Sequence, residues 1–159
     1  MNQRENISDF IKSLLISEIV NRCPMCGVFE GTRETFTNHH IDHNSSNSYY
    51  WNLIRICKVC HKDINTNKGD GKRDRKLKLI KRDLFRRYVG PASLEVLLLA
   101  YKHDVTSSLP CLANPLIRLN LIRIELENTF TTGTAKHFTL SDYKITKEGK
   151  ELVDKLRLQ

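Results

Sequence analysis

Three patterns in this 159-residue sequence predict an α+β fold. Two CxxC pairs are separated by 30 residues, apolar residues recur at helical spacing in several segments, and an apolar–polar alternation from Ile122 to Glu127 has the period of a strand. The order of these patterns predicts a helix and a cysteine-rich module over residues 1–68, a basic helix over 69–90 and a second helix–strand domain over 91–159.

The first element is a helix over about residues 7–20. Its apolar residues share one face, which we expect to pack against the cysteine-rich module. These residues are Ile7, Phe10, Ile11, Leu14 and Leu15.

The cysteine pairs, Cys23/Cys26 and Cys57/Cys60, predict a structural metal site. Each CxxC turn directs two thiolates to one point, and two turns supply the four tetrahedral sulfur ligands of Zn²⁺. A disulfide across two residues would be strained. Cys111 lies alone in an apolar stretch, and we recognise no secretory signal, so we expect structural Zn²⁺ and a reducing compartment.

Histidines are concentrated in the segment that the cysteines enclose. Four of the six lie within or beside it, namely His39, His40, His43 and His61. Imidazoles crowded beside Asp42 and Asn52 indicate a second metal site and a general base.

The order of these residues resembles that of the HNH, or ββα-metal, nucleases. The similar positions are HHID at 39–42, asparagines at 44, 47 and 52, Leu53, and CxxCH at 57–61, within about residues 20–67. The resemblance implies a zinc-stapled module that hydrolyses phosphodiester bonds of double-stranded DNA, leaving a 5′ phosphate and a 3′ hydroxyl.

The resemblance also implies a role for each residue. His39 and His61 fall on metal-ligand positions, His40 on the general base, and Asn52 on the residue that orients the loop carrying the base. Asn65 stands where many members have a second histidine, and it can offer a carbonyl oxygen. We therefore expect Mg²⁺ or Mn²⁺ as the catalytic ion, although Zn²⁺ or Ni²⁺ could also occupy the site.

Two neighbouring residues receive no ligand role. We expect Asp42 to anchor the loop and His43 to cap the turn and face solvent.

Most of the formal charge of +8 lies in the basic helix predicted after the Gly69–Gly71 turn. A solvated helix would explain the pattern, but beside a nuclease motif we expect contacts with the phosphate backbone. The expected contacts, together with one from the next domain, are Lys72, Arg73, Arg75, Lys76, Lys78, Arg82, Arg86 and Arg118.

For the last domain, residues 91–159, the sequence predicts a helix, a short helix, two strands and a closing helix. Pro91 opens the first helix, Asn114 and Pro115 begin the second, a turn at 132–134 joins the strands, and Thr146 caps the last. The segments PLIRLNLI and YKITKEGKEL resemble those of winged helix-turn-helix domains. Asn114, Arg118, Lys136 and His137 would then face DNA, and the rival role is dimerisation or docking.

The sequence therefore favours a metal-dependent DNA endonuclease acting in the cytoplasm of a prokaryotic or phage-infected cell. The alternative is a zinc-dependent DNA-binding regulator without catalysis. One site per chain cuts one strand at a time, so a concerted double-strand break would need a homodimer. We see no stretch apolar enough to span a membrane.

Overall fold

A computed structural model describes residues 7–31, 35–131 and 137–158. The turn expected at 132–134 and Lys136 lie outside these residues, and the side chain of His137 is not described either. Contacts divide the chain into unit 1, residues 1–85, and unit 2, residues 86–159. Helices and two small antiparallel sheets confirm the α+β class.

Unit 1 consists of a helix, a two-stranded sheet and two further helices. Its elements are α1 (Asp9–Ile19), β1 (Phe36–His40), a 3₁₀ turn (Tyr50–Asn52), β2 (Leu53–Cys57), α2 (Lys58–Thr66) and most of α3 (Gly71–Val89). Strands β1 and β2 pair antiparallel, with His39 opposite Ile54 and His40 opposite Leu53. Because α2 follows β2 without a break, the histidines of β1 and the start of α2 are held on neighbouring elements.

The core of unit 1 forms where α1, β2, α2 and α3 present apolar side chains. Fully buried members include Leu15, Leu53, Ile54, Ile56, Ile64, Leu77 and Leu84. Ser8 caps α1 by accepting a hydrogen bond from the Ile11 amide at 3.3 Å. The helix ends where Val20 and Asn21 adopt positive φ, which turns the chain toward the first cysteine pair.

One charged group of α3 is buried with the apolar residues. The Lys81 side chain is 0 % exposed, and its Nζ lies 2.8 and 3.1 Å from the carboxylate oxygens of Glu18 on α1. The same carboxylate accepts a hydrogen bond from the hydroxyl of Tyr50. Lys81 Nζ also lies 3.5 Å from the centroid of the Tyr50 ring, a cation–π contact. A closed polar cluster therefore joins α1, α3 and the 3₁₀ turn.

Unit 2 begins with the end of α3 and contains a three-stranded sheet with three further helices. These are α4 (Pro91–His103), β3 (Val105–Ser108), α5 (Pro110–Arg118), β4 (Ile122–Thr131), β5 (His137–Ile145) and α6 (Lys147–Leu156). The strand order is β3-β5-β4, all antiparallel. The short strand β3 has no apolar–polar signal in VTSS, and the sequence did not predict it.

The expectation that Asn114 and Pro115 open the second helix was wrong. Helix α5 starts at Pro110, so Pro115 lies inside it. Pro110, at the first helical position, costs no backbone hydrogen bond. Pro115 lies inside the helix and removes one backbone hydrogen bond, which this short helix tolerates. The helix ends at Arg118, and Asn120, two residues later, has a left-handed φ of 55°.

Helix α6 confirms the local signals that predicted it. Thr146 Oγ1 accepts from the Gly149 amide at 3.0 Å, as a helix cap does. Gly149 has no room for a side chain, because a Cβ there would lie 2.1 Å from the Leu121 carbonyl oxygen.

On the surface of this unit, Lys150 Nζ lies 2.7 Å from Asp104 and lowers the pKa of that carboxyl.

Among the residues that the structure describes, no helix has the length and apolarity to cross a membrane.

Candidate metal and catalytic site

The four paired cysteines come together as the sequence predicted. The ligand atoms of Cys23, Cys26, Cys57 and Cys60 all lie within 4.8 Å of one another, close enough to hold a zinc ion. A hairpin-like turn positions the first pair, with hydrogen bonds of 2.8 Å from the Cys23 amide to Val28 and from Gly27 to the Cys23 carbonyl. Cys57 caps α2 and accepts from the Cys60 amide at 3.4 Å, which positions the second pair.

The four sulfurs are free thiols, and a cation would be needed to hold them together as thiolates. Sγ of Cys26 and Sγ of Cys57 are 3.7 Å apart, well beyond a disulfide bond. Burial and the neighbouring sulfurs raise the pKa of Cys60, and burial raises that of Cys57. Four thiolates so close together would repel one another, so a divalent cation would be needed to keep them deprotonated.

Beside this cluster, the histidine-rich segment lines a cleft of about 530 Å³. Its walls combine residues of α1, β1, the following loop and α2. Those that bear on function are His39, His40, His43, His61, Asn65, Lys12 and Lys68. The cleft thus joins imidazoles with two lysines, a combination suited to an anionic ligand and a metal ion.

His39 is the most buried imidazole of the cleft, with 4 % of its surface exposed. Its Nε2 has no hydrogen-bond partner among the described residues. Burial, followed by the neighbouring His61, His43 and His40, lowers the pKa of His39 to about 4. The ring is therefore neutral at neutral pH, which is the form that binds a metal.

His61, near the start of α2, lies next to His39. The two ring centroids are 5.2 Å apart. Burial lowers the pKa of His61, so this imidazole also favours its neutral form.

Asn65, one turn after His61 on α2, is exposed at the edge of the cleft. Its amide nitrogen is 3.4 Å from both ring nitrogens of His61 and is thus aligned with the lone pair of neither.

Asn52 ties the loop after β1 into one conformation. Its buried amide donates to Asp42 Oδ1 and to the Asn47 carbonyl, both at 2.8 Å, and accepts from the Asp42 amide at 3.0 Å. Partial burial alone would raise the pKa of Asp42, but hydrogen bonds from Asn44, Asn52 and Asn47 outweigh it and lower that pKa. Asp42 is thus the anchor of the loop, as the sequence suggested, while the catalytic contribution of Asn52 stays a prediction.

The expectation that His43 faces solvent was wrong. Its side chain is 12 % exposed, and its Nε2 lies 3.1 Å from Asp74 Oδ1 at the start of α3. Its ring centroid is 5.2 Å from that of His39. The contact between His43 and Asp74 could not be predicted from the sequence, because Asp74 lies 31 residues away within a run of basic residues.

The basic residues expected to contact DNA differ in exposure. Lys72, Arg75, Lys76, Lys78 and Arg118 are exposed. Arg73 is paired with Asp63 and Asp70, and Arg82 lies 3.5 Å from Asp83. Arg86 donates to the Leu158 carbonyl at 3.2 Å. The exposed members are therefore the better candidates for contacts with a polyanion.

No family model, curated protein or solved structure matches this chain. Its functional interpretation therefore depends on the geometry of the cysteine cluster, the histidine cleft and the basic surface.

Proposed function

We propose that this protein is a metal-dependent DNA endonuclease of the HNH type, in which the histidine cleft hydrolyses a phosphodiester bond. The observation that carries the proposal is the cleft itself. It gathers His39, His40 and His61 beside a four-cysteine cluster, and Lys12 and Lys68 line the same walls. Metal ligands, a candidate base and cationic side chains thus lie together, with Lys12 Nζ also 2.8 Å from Asp9.

The residues of the cleft fit a divalent ion. His39 and His61 would hold it through neutral imidazoles, and Asn65 would add an amide oxygen. When bound, a divalent cation such as Mg²⁺ or Mn²⁺ would stabilise charge on the scissile phosphate and on the departing 3′ oxygen.

His40 would act as the general base. It lies at the end of β1, beside His39 and at the start of the anchored loop, and it lines the cleft. A neutral imidazole can take a proton from an attacking water near neutral pH. Asn52 would keep this histidine in place indirectly, because its hydrogen bonds hold the loop that starts at Ile41.

Exposed cations of α3 would add affinity for the phosphate backbone. Lys72, Arg75, Lys76 and Lys78 belong to the first half of this helix, within unit 1. Such contacts are independent of sequence and weaken as salt increases.

Unit 2 would be a winged helix that assists target selection or pairing of two chains. Support comes from its element order of helix, strand, helix and two antiparallel strands, and from the left-handed Asn120 after α5. The exposed Arg118 at the end of α5 is its candidate base or phosphate contact.

A plasmid-cleavage assay tests the nuclease proposal. The zinc-loaded full chain should nick supercoiled DNA in the presence of Mg²⁺ or Mn²⁺, and His40→Ala should reduce the rate about 100-fold or more. His103→Ala is a matched control, because it removes an exposed histidine of unit 2 outside the cleft. Direct religation of the products would reveal 5′ phosphate and 3′ hydroxyl ends.

The same assay distinguishes the rival function. A zinc-dependent DNA-binding regulator would shift DNA in a gel but would show no metal-dependent cleavage by the parent protein. That result would refute the nuclease proposal even if DNA affinity were high.

A further inference from the structure

His43 occupies a position in the cleft equivalent to that of a ligand. It lines the same walls as His39 and His61, and its side chain is almost as enclosed as a core residue. The ring centroids of His39 and His43 are 5.2 Å apart, the same separation as between His39 and His61.

This centroid separation is compatible with two imidazoles that share an ion. A ligating nitrogen lies about 2.0–2.1 Å from a divalent transition metal, which places the ring centroid about 3.2 Å from the ion. Two rings at a tetrahedral angle then have centroids about 5.2 Å apart. Both pairs that include His39 meet this condition in the described structure.

The second nitrogen of His43 has the partner that metal-bound histidines usually have. Asp74 is an acceptor, so at 3.1 Å it selects the tautomer in which His43 Nε2 carries the proton. The lone pair then resides on Nδ1, which leaves that nitrogen available to an ion. A carboxylate that orients a histidine in this way also increases its basicity toward the metal.

We propose that His43 is a third imidazole ligand of the ion in the cleft, together with His39 and His61, and that Asp74 orients it. The inference rests on the proposed function for the presence of an ion there. Among the described residues, only the four cysteines form a set of three or more with all ligand atoms within 4.8 Å of one another, so the three histidine rings would have to rotate to bring their nitrogens onto one ion. Asn65 stands where many HNH nucleases have a second histidine on this helix, and His43 would supply the imidazole in its place.

Three imidazoles change the expected metal. Nitrogen ligands favour transition-metal ions, whereas Mg²⁺ prefers oxygen ligands and retains its water. The site should therefore take Co²⁺, Zn²⁺ or Mn²⁺ in preference to Mg²⁺.

A Co²⁺ titration of the zinc-loaded full chain tests this ligand set without any measurement of cleavage. Visible absorption reports Co²⁺ in the cleft, and the absence of a thiolate-to-cobalt band shows that zinc remains on the cysteines. His43→Gly suits the φ of 58° at this position and removes the ligand without adding backbone strain. It should weaken Co²⁺ binding by about 100-fold, and Asp74→Ala should weaken it about 10-fold or more.

Matched variants make the result specific. Asp83→Ala removes an exposed carboxylate from the same helix as Asp74 and should bind Co²⁺ as the parent does. Unchanged thermal unfolding of the zinc-loaded His43→Gly protein would show that the fold is intact. Parental Co²⁺ affinity in His43→Gly, or a loss confined to Asn65→Ala, would overturn the proposal.

The two proposals fail separately. A parent protein that binds Co²⁺ through His43 but cuts no DNA with Co²⁺, Mn²⁺ or Mg²⁺ would refute the nuclease function and retain the ligand set. Cleavage by a parent protein that binds no Co²⁺ in the cleft would refute the ligand set and retain the nuclease function.

Discussion

The buried pair of Lys81 and Glu18 allows a quantitative test of the core of unit 1. Their side chains are 0 % and 1 % exposed, so Lys81→Met would leave a buried carboxylate with only the Tyr50 hydroxyl as a described partner in this cluster. Removing one partner of a buried ion pair costs about 3–5 kcal/mol. The ratio of folded to unfolded protein should therefore fall by roughly a hundredfold to a few thousandfold.

Trp51 provides the assay. It is the only tryptophan of the chain and follows Tyr50 directly, so its fluorescence reports on the region around the cluster. Denaturant titration of the zinc-saturated protein should show a lower midpoint for Lys81→Met. Lys78→Met removes an exposed lysine of the same helix and should change the free energy of unfolding by less than about 0.5 kcal/mol.

A double variant separates pairing from simple loss of a side chain. Glu18→Gln removes the unpaired charge but can still accept from Tyr50, so Glu18→Gln combined with Lys81→Met should recover most of the lost stability. A loss below about 1 kcal/mol in Lys81→Met, or equal instability in the single and double variants, would refute the explanation.

Three other outcomes are expected. Cys57→Ser should lose zinc and unfold unit 1, as measured by metal content and circular dichroism, whereas His40→Ala should keep both; equal loss of structure would contradict separate roles. Gly149→Ala should destabilise unit 2 by about 3 kcal/mol in thermal or denaturant unfolding, while Gly71→Ala, which has open space at the start of α3 in unit 1, should destabilise neither unit. Because the pKa of Asp104 is lowered from 3.8, its stabilising contribution is present above that pH and lost as pH falls through the lower folded value, so acid titration of Asp104→Asn should lack this component.

Features with local signals were predictable from the sequence. The paired cysteines, the cap at Thr146 and the left-handed position at Asn120 each depend on a few neighbouring residues, and the structure contains all three arrangements. The CxxC spacing determines where the sulfurs can point, whatever the rest of the chain does.

Features that depend on distant partners were missed. In the sequence, Lys81 is one of many basic residues in its segment, and its partner Glu18 lies 63 residues away, so their ion pair was not predicted. A signal was nevertheless present, since Lys81 follows Leu77 by four residues and Glu18 follows Leu14 by four, which places each charge on an apolar face. Two opposite charges on such faces could have indicated a buried pair.

The length of α3 determines the smallest part of the chain that could be studied by itself. A fragment cut at residue 68, where the cysteine-rich segment ends, would contain Glu18 and His43 but neither Lys81 nor Asp74. It would expose the apolar surface that α3 covers, and a buried carboxylate would lose its counter-ion. Exchange of the zinc module between proteins would therefore have to include residues through at least 85, with most of the basic residues of α3 carried along.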